Sequence, residues 1–243
     1  IICFYWVTKI LFMLIKKMLF GYHDTQCLYI VTSLNIADYL QDAPKSIIEL
    51  AKVTQTRPDK LFRIMRYLSS KGLFEALPDK RFGLNQNSDY LVSSNPENIN
   101  NFICLHAVYF YRGASKLIES IKLNETSFEL EFGAIAGHYF QEDRVAGEVY
   151  NNAMRENSEL YGRLISELYD FTPYKTIVDV GGGIGSLLAH VLLKNKESFG
   201  INYDLPGLQN ASENYFKAKG LLSRVKYVGG DFNQFVPDDG DIY

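Results

Sequence analysis

Residues 175–185 (KTIVDVGGGIG) join a short β-branched run to a segment with four glycines in five positions. The first part predicts a buried strand over 175–180. The glycines predict a tight turn whose backbone takes positive φ angles and closely approaches a ligand. Residues 186–193 (SLLAHVLL) then predict a helix, whose first turn offers free N–H groups. A strand, a glycine loop and a helix in this order predict the ligand-binding edge of an α/β fold.

Strands and helices continue to alternate after this loop. We predict a second strand over 198–205 (SFGINYDL), a helix over 208–219 and a third strand over 224–231 (RVKYVGGD). Residues 241–243 have the composition of the start of a fourth strand. This alternation predicts a parallel sheet with right-handed crossovers.

Acidic residues stand at the predicted carboxyl ends of all three strands. Asp179 ends the first strand, Asp204 ends the second, and Asp231, followed by Phe232, ends the third. A carboxylate in the position of Asp204 accepts hydrogen bonds from ribose hydroxyls in nucleotide-binding α/β folds. Asp231 and Phe232 together suit an adenine amino group and its ring face. The alternatives stay open that the glycine run is only a turn, that Asp204 caps the next helix and that Asp231 is a turn residue.

Two other nucleotide-binding motifs fit the loop less well. The dinucleotide pattern G-x-G-x-x-G fails from Gly181 because position 186 is Ser186, and fails from Gly183 because position 188 is Leu188. The Gly-Lys-Ser/Thr of a phosphate-binding P-loop is absent. The loop is therefore more typical of a cofactor without a phosphate group.

The N-terminal side has the pattern of a small helical domain over 21–95. Apolar residues at helical spacing predict one helix over 26–40. A second helix is predicted over 46–53, where Ser46 and Glu49 form a capping-box pattern.

A third helix and a hairpin complete this domain. Thr56 as a cap followed by Pro58 predicts a helix that ends near Gly72. Residues 73–77 and 81–84 predict two strands joined by a turn. Three helices followed by a hairpin predict a winged helix.

Residues 96–172 link the two parts and are predicted to be mostly helical, with helices over 98–117 and 144–169. We therefore predict two domains. Residues 1–100 form a winged-helix-like domain, and residues 101–243 contain the helical bridge and the start of the α/β domain.

The composition is typical of a soluble globular protein, with 47% hydrophobic and 22% charged residues. The formal net charge of −3 does not indicate binding to nucleic acid. Cys3, Cys27 and Cys104 are widely spaced and odd in number. This pattern predicts a reduced, cytoplasmic protein without a disulfide framework or a metal site.

The first twenty residues are nearly all apolar. Lys9, Lys16 and Lys17 interrupt the run, whereas a membrane-spanning helix needs about 20 apolar residues. A signal peptide would begin with its positive charge and end in small residues. We therefore predict a helix buried against a partner or a second subunit, and no membrane association. Because the chain begins with Ile1 and not with Met, we expect a fragment at this end.

Several segments together resemble the two-domain, plant- and bacterial-type small-molecule O-methyltransferases, the group of caffeate, hydroxyneurosporene and acetylserotonin methyltransferases. Before the glycine loop the resemblance covers 20–40 (ending NIADYL), 61–74 (LFRIMRYLSSKGLF) and 128–154 (FELEFG to YNNAM). In the C-terminal half it covers 178–185 (VDVGGGIG), 203–206 (YDLP) and 229–232 (GGDF). The motifs occur in the family's order over nearly the whole chain.

The resemblance implies a winged-helix domain for homodimer formation and a Rossmann-like class I methyltransferase domain, incomplete after its third or fourth strand. It implies S-adenosylmethionine as the cofactor and a small-molecule hydroxyl as the methyl acceptor. Met154 would line the acceptor pocket. The implied cofactor-binding residues are Asp179, Gly181, Gly182, Gly183, Gly185, Asp204, Leu205, Asp231 and Phe232.

The family's general base is a histidine in a His-Asp-Trp motif shortly after the fourth strand. No histidine of this chain (His23, His106, His138 or His190) matches that motif, and we interpret His190 as a packing or surface residue. We therefore expect the catalytic histidine beyond Tyr243 and no turnover by these 243 residues alone.

Two alternative functions stay open, a catalytically silent dimer partner and a winged-helix regulator with a ligand-sensing domain. The regulator would use the cations of the third helix, which we interpret instead as a solvated face. These cations are Arg57, Lys60, Arg63 and Arg66. Phenolic, indolic, polyketide and carotenoid-like hydroxyls all stay open as acceptors.

Overall fold

A computed structural model describes residues 14–243 of the chain. Backbone contacts divide the chain into two units, Ile1–Ala153 and Met154–Tyr243, which are described separately below. We predicted the boundary at residue 100 from the expected roles of the two parts and not from their contacts, so that boundary stays a prediction.

Only the end of the apolar N-terminal run falls within the described residues. The helix predicted over 1–20 lies outside them up to residue 13, whereas residues 14–19 are helical and exposed. Over 14–243, every helix is too short or too polar to span a bilayer.

The first unit begins with a helical bundle and a small antiparallel sheet. The helices are α1 (Gly21–Ser33), α2 (Ile36–Tyr39), α3 (Ile47–Val53) and α4 (Pro58–Ser70). The strands are β1 (Lys45–Ser46), β2 (Glu75–Leu77) and β3 (Arg81–Gly83). They pair in the order β1-β3-β2. The predicted helical N-terminal domain with a hairpin is confirmed.

The local sequence explains where α3 begins. The Glu49 N–H donates to Ser46 Oγ (3.3 Å), and the Ser46 N–H donates to Glu49 Oε2 (2.8 Å), so the predicted capping box is present. Leu50 of this helix packs in a core with Met65 and Phe74, all almost fully buried. Burying such side chains is the main source of stability for this small domain.

Two local predictions for this unit were wrong. The helix predicted over 26–40 is broken at Asn35, which takes a left-handed conformation (φ 50°) between α1 and α2. Thr56 does not cap α4, because the helix begins after Arg57 with Pro58 in its first turn. The Thr56 hydroxyl is instead hydrogen-bonded to that of Thr54 (2.9 Å).

The rest of the first unit is helical. A continuous helical run consists of α5 (Asn100–Cys104), one π-helical turn (Leu105–Phe110) and α6 (Tyr111–Ala114). It is followed by α7 (Leu117–Ser120), α8 (Ser127–Phe132) and α9 (Ala136–Glu142). The long helix α10 (Arg144–Leu168) begins in this unit and ends in the second.

The second unit alternates strands and helices, as the predicted Rossmann-like fold requires. The elements are β4 (Thr176–Val180), α11 (Ser186–Lys194), β5 (Phe199–Asp204), α12 (Gln209–Ala218) and β6 (Val225–Gly229). The strands are parallel in the order β4-β5-β6. Ile242 forms a parallel bridge with Ile177 on the other side of β4, where we predicted the start of a fourth strand.

Helix α11 packs on the sheet through an apolar face. Leu188 and Leu192 of α11 are fully buried. A Cβ at Gly200 of β5 would lie 2.8 Å from Leu192 Cδ1 and 2.9 Å from Leu188 Cδ2. The glycine therefore lets the helix approach the strand, which fixes the position of the loop at the start of that helix.

Arg224 stabilises the C-terminal end of α11 by hydrogen bonding. Its guanidinium donates to the Leu192 carbonyl (2.8 Å) and to the carbonyls of Asn195, Lys196 and Ser198 (3.0 Å each). These carbonyls belong to the helix end and to the turn that leads into β5. A cation is favourable there because unpaired carbonyls give the end of a helix a partial negative charge.

We expect Arg224→Met to lower the free energy of unfolding by about 2–3 kcal/mol, because half-buried carbonyls lose a charged donor. Urea denaturation measures this value. Lys226→Met, on the exposed side of β6, is the control and should change it by less than about 0.5 kcal/mol. Equal stability of the two variants would contradict this role of Arg224.

Candidate functional site

The candidate site is the edge of the second unit's sheet where the three strands end. Val180 lies opposite Tyr203 in the parallel register, and Asp204 lies opposite Gly229. The loops that leave β4, β5 and β6 therefore start side by side. This is the edge at which open α/β sheets bind ligands.

The glycine loop after β4 takes backbone angles that favour glycine. Gly181, Gly183 and Gly185 have φ angles of +74°, +58° and +93°. Gly185 is also the N-cap residue of α11, and a Cβ there would lie 2.1 Å from Phe216 Cζ. Both conformation and space thus require glycine at this position.

Asp204 connects the end of β5 to this loop. Its Oδ2 accepts a hydrogen bond from the Gly183 N–H (2.7 Å), and its Oδ1 accepts one from the Leu205 N–H (2.6 Å). Each carboxylate oxygen has a further lone pair for another donor. The alternative that Asp204 caps the next helix does not fit, because α12 begins after Leu208 without a side-chain cap.

Asp179 lies beneath the loop, at the end of β4. The residue is half-buried, but its Oδ2 is fully buried and has no hydrogen-bond partner among the described residues. Burial raises the pKa of Asp179 to about 6; a backbone hydrogen bond from Leu188 opposes this effect, and the charge of Asp204 adds to it. The cause is the cost of an ionised carboxylate away from water.

Asp231 and Phe232 follow β6 and are the outermost part of the site. The Asn233 N–H and side chain both donate to Asp231 Oδ1 (2.9 Å each), and these bonds lower the pKa of the Asp231 carboxyl. Asp231 thus organises its own turn, as the alternative interpretation expected. The Phe232 and Leu205 side chains are about half exposed, which leaves apolar surface at this edge.

The remaining predicted residue, Met154, lies on a helix and not in the three loops that follow the strands. It is half-buried on α10, at the start of the second unit. Its assignment to an acceptor pocket stays a prediction.

His190 is a packing residue in the structure, in agreement with our interpretation. Its Nε2 lies 2.8 Å from Glu159 Oε2, and Tyr215 donates to the other carboxylate oxygen of Glu159. Although burial raises the pKa of Glu159, the hydrogen bonds from Tyr215 and His190 outweigh it and the pKa is lowered. This cluster connects α10 with α11 and α12.

Sequence reasoning missed Asn202, which is fully buried in β5 and donates a hydrogen bond to the Gly183 carbonyl (2.9 Å). One pattern could have revealed it. Side chains alternate along a strand, so Asn202 lies on the same face as Asp204. A polar residue there, inside an otherwise apolar strand, indicates a specific hydrogen-bond partner.

Comparisons with known proteins agree with this geometry. A family model described as an O-methyltransferase domain matches residues 115–243, and one described as an O-methyltransferase dimerisation domain matches residues 16–94. Phenazine O-methyltransferase PhzM from Lysobacter antibioticus is 34% identical over 230 residues, which cover 95% of this chain and 67% of the relative.

Solved structures give the same result. The crystal structure of LaPhzM has a TM-score of 0.82 at 34% identity and covers 96% of this chain and 70% of that one. CalO1, a methyltransferase of calicheamicin biosynthesis solved in its SAH-bound form, has a TM-score of 0.80 at 26% identity, with 95% and 68% covered. The chain therefore spans about two thirds of the length of these proteins.

The raised pKa of Asp179 predicts a pH-dependent stability. The unfolded carboxyl ionises near 3.8 and the folded one near 6, so the folded state holds more protons between these values and loses stability as the pH rises through them. Asp179→Asn has no such proton to lose. We expect its stability relative to wild type to increase by about 2 kcal/mol from pH 4 to pH 7.

Urea denaturation of both proteins at pH 4 and pH 7 measures this difference. Asp239→Asn, at an exposed position of the same unit, is the matched control and should show no such change. A constant difference between Asp179→Asn and wild type at both pH values would show that the Asp179 carboxyl titrates normally.

Proposed function

Because the chain belongs to the O-methyltransferase family, we propose that it binds S-adenosylmethionine at the ends of β4, β5 and β6 and transfers the methyl group to a hydroxyl of a small molecule. The hydrogen bond from the Gly183 N–H to Asp204 Oδ2 is the observation that carries this proposal. It joins the glycine loop and the acidic strand end into one connected surface, as a ligand with both an amino-acid part and a ribose requires.

The residues present fit the cofactor. The glycines of the loop leave its backbone open to the methionine part, and a Cβ at Gly182 would collide with the Asn202 and Asp179 side chains. The free lone pairs of Asp204 suit the two ribose hydroxyls. Asp231, Leu205 and Phe232 then offer an acceptor and apolar surface for the adenine ring.

Bound S-adenosylmethionine supplies a methyl group that is already activated on a sulfonium centre. The contribution of this chain is therefore binding and orientation. Holding a donor and an acceptor in line contributes up to roughly 7–11 kcal/mol in well-oriented reactions. The carboxylates of Asp179 and Asp204 also place negative charge beside a cationic cofactor. We assign no residue of this chain as the general base.

The acceptor and the partner are part of the proposal. The Lysobacter relative is named for a phenazine, so a hydroxylated phenazine is the first acceptor to test. We infer a homodimer formed by the domain matched at residues 16–94. At and just before the start of this domain Leu14, Met18 and Leu19 expose apolar side chains that a second subunit would cover. The reported relatives are all methyltransferases, so the regulator alternative has no support.

Two further expectations belong to this proposal. The side chains of Cys27 and Cys104 are thiols and not parts of a disulfide, which supports a cytoplasmic location. We also expect no nucleic-acid partner, because Arg57, which precedes α4, and Lys60 of α4 have nitrogen atoms 3.3 Å and 3.8 Å from Asp59 carboxylate oxygens.

We expect the chain to bind S-adenosylhomocysteine in isothermal titration, and Asp204→Asn to weaken that binding about 10- to 100-fold. The amide keeps the side-chain shape but replaces one acceptor oxygen with a donor and removes the charge, which costs about 1.5–3 kcal/mol for a charged hydrogen bond.

Asp238→Asn, an exposed acid in the same unit, is the control and should bind like wild type. Equal affinity of Asp204→Asn and wild type would remove Asp204 from the site. The absence of any binding by the wild-type chain would contradict the proposed cofactor.

A further inference from the structure

Asn202 is a fully buried polar side chain with two donated hydrogen bonds. It lies in the middle layer of the second unit, directly opposite Asp179 in the strand register. Its Nδ2 donates to the Gly183 carbonyl and to Ser212 Oγ, each at 2.9 Å. With the amide reversed, Oδ1 would face the Gly183 carbonyl, an oxygen against an oxygen, so these partners fix its orientation.

The two donated bonds leave the amide oxygen of Asn202 facing Gly182. Asn202 Oδ1 is buried and has no hydrogen-bond partner within the described part of the chain. A Cβ on Gly182 would lie 2.0 Å from this oxygen and 2.8 Å from Asp179 Cγ. Gly182 is not among the glycines with a positive φ angle. Glycine is therefore required at 182 by space, and the nearest obstacle is Asn202.

Strand β5 holds Gly183 by both of its backbone groups. Asp204 accepts from the Gly183 N–H, and Asn202, two residues earlier on the same face, donates to the Gly183 carbonyl. An apolar side chain would cost less to bury in this strand than an amide with an unpaired oxygen. The amide therefore has a role that an apolar residue cannot fill.

We propose that Asn202 is a positioning residue for the cofactor. Its amide group donates a hydrogen bond to the Gly183 carbonyl, and its oxygen occupies the space that a side chain at position 182 would need. Together these contacts give the loop backbone the shape that S-adenosylmethionine requires. The second hydrogen bond of Asn202 goes to Ser212 of α12, away from the loop. This inference rests on the proposed function, since it assigns a role toward the same cofactor.

The first test is Asn202→Asp, which keeps the size of the side chain but removes both donors when it is ionised. We expect the Kd for S-adenosylhomocysteine, measured by isothermal titration at pH 8, to rise about 10- to 100-fold relative to wild type. At pH 5 a protonated carboxyl regains one donor for the Gly183 carbonyl, so the ratio of the two Kd values should fall toward one.

The ratio is the quantity to compare because Asp179 and Asp204, the acidic residues nearest to position 202 on β4 and β5, are present in both proteins. A role limited to fold stability would lower the melting temperature, more at pH 8 than at pH 5, but would leave the Kd ratio of the folded proteins near one at both pH values. A Kd ratio within twofold at both pH values would overturn the proposal, as would a loss that is equal at pH 5 and pH 8.

Ser212→Ala is the matched control, because it removes the other partner of Asn202 and leaves the loop contact intact. We expect its Kd to stay within about threefold of wild type. A loss as large as that of Asn202→Asp would mean that the buried network as a whole, and not the contact with Gly183, determines binding.

A second pair of variants tests the proposal if Asn202→Asp does not fold. Gly182→Ala should weaken S-adenosylhomocysteine binding strongly in the wild-type background and less in an Asn202→Ser background, where the shorter side chain removes the nearer of the two obstacles and leaves only Asp179. Independent effects of the two substitutions would overturn the proposal. Failure of wild type to bind would instead contradict the proposed function itself.

Discussion

The position of one residue's backbone, that of Gly183, determines the geometry of the candidate site. Its N–H is bound by Asp204 and its carbonyl by Asn202, both from β5, while the loop itself comes from β4. The site therefore depends on correct pairing of the two strands. Gly200 and the apolar face of α11 secure that pairing by letting helix and sheet pack closely. The core of the second unit and its ligand edge are thus parts of one arrangement.

Electrostatics give this edge a preference for cationic ligands. Asp179, Asp204 and Asp231 all end strands of the same parallel sheet, and burial makes Asp179 hard to ionise without a partner. A cation placed beside it would favour the ionised form. The positive sulfonium and ammonium groups of S-adenosylmethionine would be attracted by the carboxylates at this edge, whereas the negative charges of a pyrophosphate would be repelled by them.

Much of this fold was predictable from sequence because its patterns are local. The short, mainly apolar segments between the predicted helices indicated the three strands within one or two residues, and the capping box of Ser46 and Glu49 indicated the start of α3. The break at Asn35 was missed because apolar spacing continues through it. Strand β1 has only two residues, too few for a periodic pattern, and it exists because β3 pairs with it.

The candidate site shows the same limit. The glycines and strand-end acids could be named from spacing, but the role of Asn202 depends on a contact between β5 and the loop after β4, which no local pattern predicts. The dimeric assembly and the acceptor likewise depend on surfaces that no local pattern describes. The expectations of a homodimer and of a small-molecule hydroxyl as the acceptor came from the family resemblance.

Hydrogen–deuterium exchange with and without S-adenosylhomocysteine shows whether this edge of the sheet is the cofactor site. We expect the ligand to slow exchange mainly in peptides covering 179–186, 204–208 and 229–235, the three loops at the ends of β4, β5 and β6. Protection confined to the first unit, or no change in these three loops at saturating ligand, would contradict the assignment of this edge as the cofactor site.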